Sequence, residues 1–200
     1  IANEYKIPTF VLGVGLGGLI ILNLLEKTEL PIEGILLFSP MLELKKDYKG
    51  RKNKLISNVG KISKDTRFKV GITPHDLTRN DEIIEETAND GLMLKKVTYS
   101  WYNLINEKMK ETMDHIRDIK PISALIMYGT KDKILETQSI NEMKDKLKSK
   151  EMYFKVWDGL YHEIHNEPER DLVMRYVLSF LNNSVNTMGF IVNEEEIEDI

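Results

Sequence analysis

The sequence predicts an α/β fold built on a mostly parallel sheet, and three features carry that expectation. Short apolar runs bounded by turn residues alternate with helical stretches, the rhythm of strands joined by helical crossovers. A glycine cluster, Gly13-Val14-Gly15-Leu16-Gly17-Gly18, falls at the junction of the first strand and the first helix. Asp132 and His162 each follow a later apolar run, at the carboxyl end of a strand, where open α/β sheets gather their ligands.

The elements follow in order. Thr9 to Leu12 reads as a buried strand entered after Pro8. Leu16 to Lys27 reads as a helix, apolar on nearly every side until Glu26, and therefore buried. Gly34 to Phe38 is a second strand, stopped by Ser39-Pro40; Ser123 to Tyr128 is a third, introduced by Pro121 and closed by Gly129. Tyr153 to Trp157 is a fourth, closed by Asp158-Gly159. Helical patterns follow over Glu136 to Leu147 and over Glu167 to Leu181, with Pro168 near the start of the latter, where proline is tolerated. The interval from Leu42 to Ile119 breaks the alternation. It is lysine-rich at first, then helical over Asp81 to Ala88 and Lys95 to Ile116, and offers no good strand. It reads as a helical layer set on one end of the sheet.

Composition narrows the chemistry. Two hundred residues suit one domain with a real core. A net charge of −4 with mixed signs predicts no phosphate-seeking surface and no nucleic-acid partner. With no cysteine, thiolate catalysis and disulfides are excluded, while the compartment is left open. No signal peptide is visible. Phe10 to Leu25 is the most apolar stretch but includes Asn23 and falls short of the roughly 20 residues a membrane span needs. The chain starts at Ile1 and not at Met, which reads as a cut or processed start or as the resumption of a longer protein. The polar run from Asn182, with Glu194-Glu195-Glu196, reads as a solvated acidic tail.

The glycine cluster fits two chemistries. As G-x-G-x-x-G it is a dinucleotide fingerprint, which requires an acidic residue at the end of the next strand for the ribose hydroxyl. That strand ends in Ser39-Pro40 and the first acid, Glu43, comes too late. As G-x-S-x-G with glycine in place of serine, it is a nucleophile elbow, which requires an acid and then a histidine after later strands. Tyr128-Gly129-Thr130-Lys131-Asp132 and Asp158-Gly159-Leu160-Tyr161-His162 supply both in that order.

The segments Phe10-Val11-Leu12-Gly13-Val14-Gly15-Leu16-Gly17-Gly18, Tyr128-Gly129-Thr130-Lys131-Asp132 and Gly159-Leu160-Tyr161-His162-Glu163-Ile164-His165-Asn166-Glu167-Pro168-Glu169-Arg170 carry a further signal. Through them the chain resembles the monoacylglycerol lipase and lysophospholipase branch of the α/β-hydrolases, over nearly its whole length to about Leu181. The resemblance implies an α/β-hydrolase-type sheet, with helices on both faces, comprising the C-terminal portion of that fold. Residues 1–41 and 120–182 would form the core, 42–119 an inserted helical cap over an acyl tunnel, and 183–200 the tail. It implies Asp132 as triad acid, His162 as base and the Leu16 amide as one oxyanion donor. Where the family has His-Ser, this chain has Val14-Gly15, so Gly15 marks a vacant nucleophile position. The family's earlier strands and His-Gly oxyanion loop have no counterpart here.

The expected function is hydrolysis of a lipid carboxylic ester, such as a monoacylglycerol or lysophospholipid, impaired because glycine offers no attacking oxygen. Loss of the serine costs on the order of 10⁶ in turnover in comparable triads. The alternative is a non-catalytic module that holds an acyl chain or a protein partner. No cofactor is implied, and peripheral contact with a membrane surface through the cap is expected, at a cytoplasmic or membrane-peripheral location. His162-Glu163-Ile164-His165 has the spacing H-E-x-H and not the H-E-x-x-H of zinc sites, so no metal is expected. Ser39 reads as turn chemistry in preference to a substitute nucleophile. Met93, Trp101, Tyr102 and Leu104 would line the tunnel or, at helical spacing, simply pack in the core. His75 and His115 receive no role.

Overall fold

The structure is a computed structural model that describes residues 7–46, 48 and 66–187. The acidic stretch at 188–200 and the lysine-rich start of the insertion at 49–65 lie outside the described residues. In chain order the strands are β1 (Phe10–Val14), β2 (Gly34–Phe38), β3 (Arg67–Lys69), β4 (Lys96–Thr98), β5 (Ser123–Gly129) and β6 (Met152–Trp157). The helices are α1 (Leu16–Leu25), α2 (Pro74–Leu77), α3 (Asp81–Asn89), α4 (Tyr99–His115), α5 (Gln138–Lys146) and α6 (Arg170–Thr187).

Strands β1, β2, β5 and β6 form one four-stranded sheet in that spatial order, every pairing parallel. Because each crossover moves the same way across the sheet and crossovers are right-handed, α1 and α5 fall on the same face. Alternation along the strands shows it. Ile35 and Leu37 of β2 and Ala124, Ile126 and Tyr128 of β5 pack with Leu19 and Leu22 of α1 and Ile140 and Met143 of α5. The intervening residues Leu36, Phe38, Leu125 and Met127 face the other way, onto Val173 and Phe180 of α6. Every residue of β2 and β5 is buried, as two-faced burial of a central parallel strand demands. Each fully buried aliphatic side chain there contributes about 1.5–3 kcal/mol.

The insertion departs from an all-helical layer. Arg67–Lys69 and Lys96–Thr98 pair antiparallel in a small second sheet. Three-residue strands are too short to show a period-2 pattern, which is why the sequence concealed them. What holds them is a small aromatic cluster, with Phe68 against Tyr99 at 4.9 Å and edge-on to Tyr102 at 5.4 Å. Helix α4 therefore starts at Tyr99, after β4, capped by Thr98 Oγ1 accepting from the Trp101 N–H at 3.2 Å. At the other end, α6 begins at Arg170, beyond Pro168, and runs past Leu181 to Thr187.

Between β6 and α6 a turn of 3₁₀ helix spans Ile164–Asn166, with Ile164 in the core. His165, half-buried, follows it, its ring 6.0 Å from that of Phe38. Burial pushes the His165 pKa below the usual histidine value; Glu163 opposes the shift, and the neighbouring His162 adds a smaller push downward.

Three outcomes follow from this packing. A Cβ on Gly129 would lie 2.2 Å from the Leu160 carbonyl oxygen, a backbone clash, whereas one on Gly17 meets nothing within 4 Å. Gly129→Ala should destabilise by about 3 kcal/mol, lowering the melting temperature by roughly 6–12 °C, and Gly17→Ala should stabilise by about 0.5 kcal/mol, both read by thermal denaturation. For His165, the unfolded chain binds the proton more readily than the folded one, so this residue's contribution is fully present above the unfolded pKa and lost as pH falls. His165→Asn should lose less stability than the parent between pH 7 and pH 5; equal losses in matched melts would contradict the lowered His165 pKa.

Candidate active site

Four carboxyl ends of the parallel sheet lie side by side, and each delivers a residue of interest: Gly15 after β1, Ser39 after β2, Asp132 after β5 and His162 after β6. Gly15 turns the chain from strand to helix at φ 51° and ψ −114°. Its N–H donates to the Phe38 carbonyl at 2.9 Å, and its carbonyl accepts from the Met41 N–H at 2.9 Å, so the exit of β2 clamps the bend from both sides. The strand and helix around the bend nearly touch: a Cβ on Gly13 would stand 2.7 Å from the Gly17 backbone. The G-x-G-x-x-G spacing thus records a tight strand-to-helix elbow. Leu16 opens α1, and its N–H is one of the amides that a helix leaves unpaired at its positive end.

Asp132 and His162 meet. The Asp132 carboxylate is fully buried, and its Oδ1 accepts from the backbone N–H groups of Ile134 at 2.8 Å and Leu135 at 3.0 Å. Its Oδ2 lies 2.8 Å from His162 Nδ1. A carboxylate accepts only, so Nδ1 carries a proton, and in the neutral ring Nε2 presents its lone pair. That lone pair faces the elbow: a Cβ built on Gly15 would stand 3.0 Å from Nε2. The buried acid, the oriented imidazole and the bend at residue 15 lie in line.

Loop-to-loop bonds fix the arrangement. Lys131 N–H donates to the Leu160 carbonyl at 2.9 Å, Thr130 N–H donates to the Trp157 carbonyl at 2.9 Å, and Thr130 Oγ1 donates to Asp158 Oδ1 at 3.0 Å. Lys45 Nζ donates to the Asp132 carbonyl. The loop after β2 is drawn in by an isolated bridge between Leu44 and Leu135.

The other candidates separate. Ser39 is fully buried with φ 44°, and its hydroxyl has no hydrogen-bond partner among the described residues, His162 included. Tyr102 packs on Phe68 and donates its hydroxyl to the Tyr48 carbonyl at 3.2 Å. Met93 and Trp101 are half-buried in the insertion, and Leu104 is exposed. A cleft of about 470 Å³ opens elsewhere, between the end of α1 and the start of β5, and none of these residues lines it. His115 is exposed and pairs with Asp118. Sequence reading gave no role to Lys45, Arg79 or Glu167, all bound to the loops of this site; their partners lie 87 or 88 positions away, beyond any local pattern.

Comparison with known proteins gives the family and the fold. The family described as Hydrolase_4: Serine aminopeptidase, S33 matches residues 1–169. Phospholipase YtpA of Bacillus subtilis is 28% identical over 185 residues, spanning 92% of this chain and 71% of that protein. The monoacylglycerol lipase of Mycolicibacterium smegmatis is 37% identical over 57 residues, 28% of this chain and 20% of that protein. Among solved structures, the Paleococcus ferrophilus monoacylglycerol lipase superposes with a TM-score of 0.79 at 22% identity, over 91% of this chain and 71% of its own. A soluble variant of Saccharomyces cerevisiae monoglyceride lipase gives 0.80 at 18% identity, over 92% and 64%. A match running through residue 169 of 200 makes the chain a member of the Hydrolase_4, serine aminopeptidase S33, family, on the α/β-hydrolase fold.

Proposed function

We propose that this chain carries the acid–base half of a lipid ester hydrolase site, with Gly15 standing where the serine nucleophile belongs. In this reading Asp132 orients His162, His162 Nε2 is the general base, and the Leu16 N–H is an oxyanion donor. Residues 1–41 and 120–182 hold the site, and 42–119 cap it. The observation that carries the reading is the line from the buried Asp132 carboxylate through His162 to the Cβ position of residue 15. The phospholipase and monoacylglycerol lipase relatives support a lipid ester as substrate class.

In an intact site the base takes the serine proton as the oxygen attacks the ester carbonyl, and the backbone amide stabilises the oxyanion. Without Oγ, His162 has only water to activate, and turnover falls by on the order of 10⁶. The absence of a side chain at position 15 also favours a second reading, in which the site holds an acyl chain without cleaving it. The insertion adds a means of reaching lipid. Leu92 and Leu94 are 90% and 65% exposed, beside the exposed Lys95 and Lys96. Apolar tips flanked by cations suit an anionic membrane surface.

Gly15→Ser should raise hydrolysis of p-nitrophenyl butyrate by about 10³-fold or more, with the imidazole receding a few tenths of an ångström to admit the new Cβ. In that background Asp132→Asn should cut kcat by roughly 10³–10⁴. The two backbone N–H groups hold the amide oxygen, its NH₂ then faces Nδ1, and the imidazole proton is forced onto Nε2. No gain from Gly15→Ser, together with tight binding of a fluorescent fatty acid by the parent, would favour the binding reading. On vesicles of phosphatidylcholine and phosphatidylserine, Leu92→Asp/Leu94→Asp should lower the bound fraction about tenfold or more in a flotation assay; unchanged flotation removes the membrane contact.

A further inference from the structure

The insertion is fastened to both loops that present the dyad. Lys133, beside Asp132, donates from Nζ to the His75 carbonyl at 2.8 Å. Glu163, beside His162, donates its N–H to the Leu77 carbonyl at 2.8 Å. Thr78, which is buried, donates from Oγ1 to the Asn166 carbonyl at 2.8 Å.

The strongest fastening is ionic. Glu167 is 0% exposed, and a carboxylate so placed stays ionised only where both oxygens find donors. Its Oε2 accepts from Arg79 Nε at 2.8 Å, and its Oε1 accepts from the Tyr161 N–H at 2.8 Å. Arg79 also reaches Glu169 Oε2 at 2.5 Å. One oxygen of Glu167 therefore belongs to the insertion, and the other holds the N–H of Tyr161, the residue before His162.

We propose that Glu167, held by Arg79, is a positioning residue that fixes the backbone of Tyr161 as the chain enters His162 and thereby aims the imidazole at position 15. The alignment of the base then depends on the seating of the insertion, and anything that lifts residues 75–79 loosens His162. A helix-start anchor is the competing role, since the Glu167 carbonyl also accepts from the Arg170 N–H at 3.0 Å; an anchor alone would not move the imidazole. The inference rests on the reading of His162 as the base, but its test does not require turnover.

In the chain as it stands, ¹⁵N-labelled imidazole resonances report the ring directly, with His162→Asn assigning the signal. Arg79→Met and Glu167→Gln should shift or broaden the His162 signals and speed amide exchange at Tyr161, His162 and Glu163 by about tenfold or more. Arg79→Lys should recover part of the effect, and the His115 signal should stay put. Glu167→Gln is nearly isosteric and turns donors toward Arg79, so it decides the matter if Arg79→Met fails to fold. In an active Gly15→Ser background the same changes should lower kcat by about 10- to 100-fold, with KM within about twofold. Unchanged imidazole signals in folded variants, or displaced signals with unchanged kcat, overturn the proposal. An inactive Gly15→Ser protein counts against the hydrolase reading alone, because the resonances still decide the positioning.

Discussion

A carboxylate stripped of water must be fully hydrogen-bonded, and that requirement at Asp132 organises the rim of the sheet. Two of its bonds come from the turn that follows it, through the N–H groups of Ile134 and Leu135. The third comes from a side chain 30 positions away, His162. To satisfy that bond, the loops after β5 and β6 must close on each other. They do so with main-chain bonds at Thr130 and Lys131 and with a backbone approach at Gly129 that no side chain could share.

The elbow after β1 obeys the same economy of space. Glycine at position 13 lets strand and helix nearly touch, and the positive φ at Gly15 turns the chain sharply enough for α1 to start within a residue. The exit of β2 secures the bend by accepting its N–H and donating to its carbonyl, an arrangement that places Ser39 at φ 44°. Backbone strain of this kind costs on the order of 1–3 kcal/mol and persists where the surroundings over-determine it. Here those surroundings are the hydrogen bonds of two adjoining strand ends.

Around this rim the polar contacts grow denser and more distant in sequence. Lys45, Thr78, Arg79 and Glu167 each join segments 87 or 88 residues apart. The insertion is thus bonded to the sheet's rim through main chain and buried charge as well as through apolar packing. The result is a rim in which His162 is held directly by Asp132 through Nδ1, and the residue before it by Glu167 through the Tyr161 N–H.

The sequence by itself determined the alternation of apolar strands and helices, the parallel sheet, the elbow at Gly15, and the order acid-then-histidine. Those properties rest on local periodicity, turn residues and short motifs, which a chain displays whether folded or not. Tertiary structure alone decided the pairing of Arg67–Lys69 with Lys96–Thr98, where two three-residue strands form because Phe68, Tyr99 and Tyr102 cluster. It also decided that α6 starts beyond Pro168 and that a glutamate read only as a helix beginning is a buried counter-ion. Burial is the physical reason: a charge reveals its partner only when folding removes the water that would otherwise solvate it.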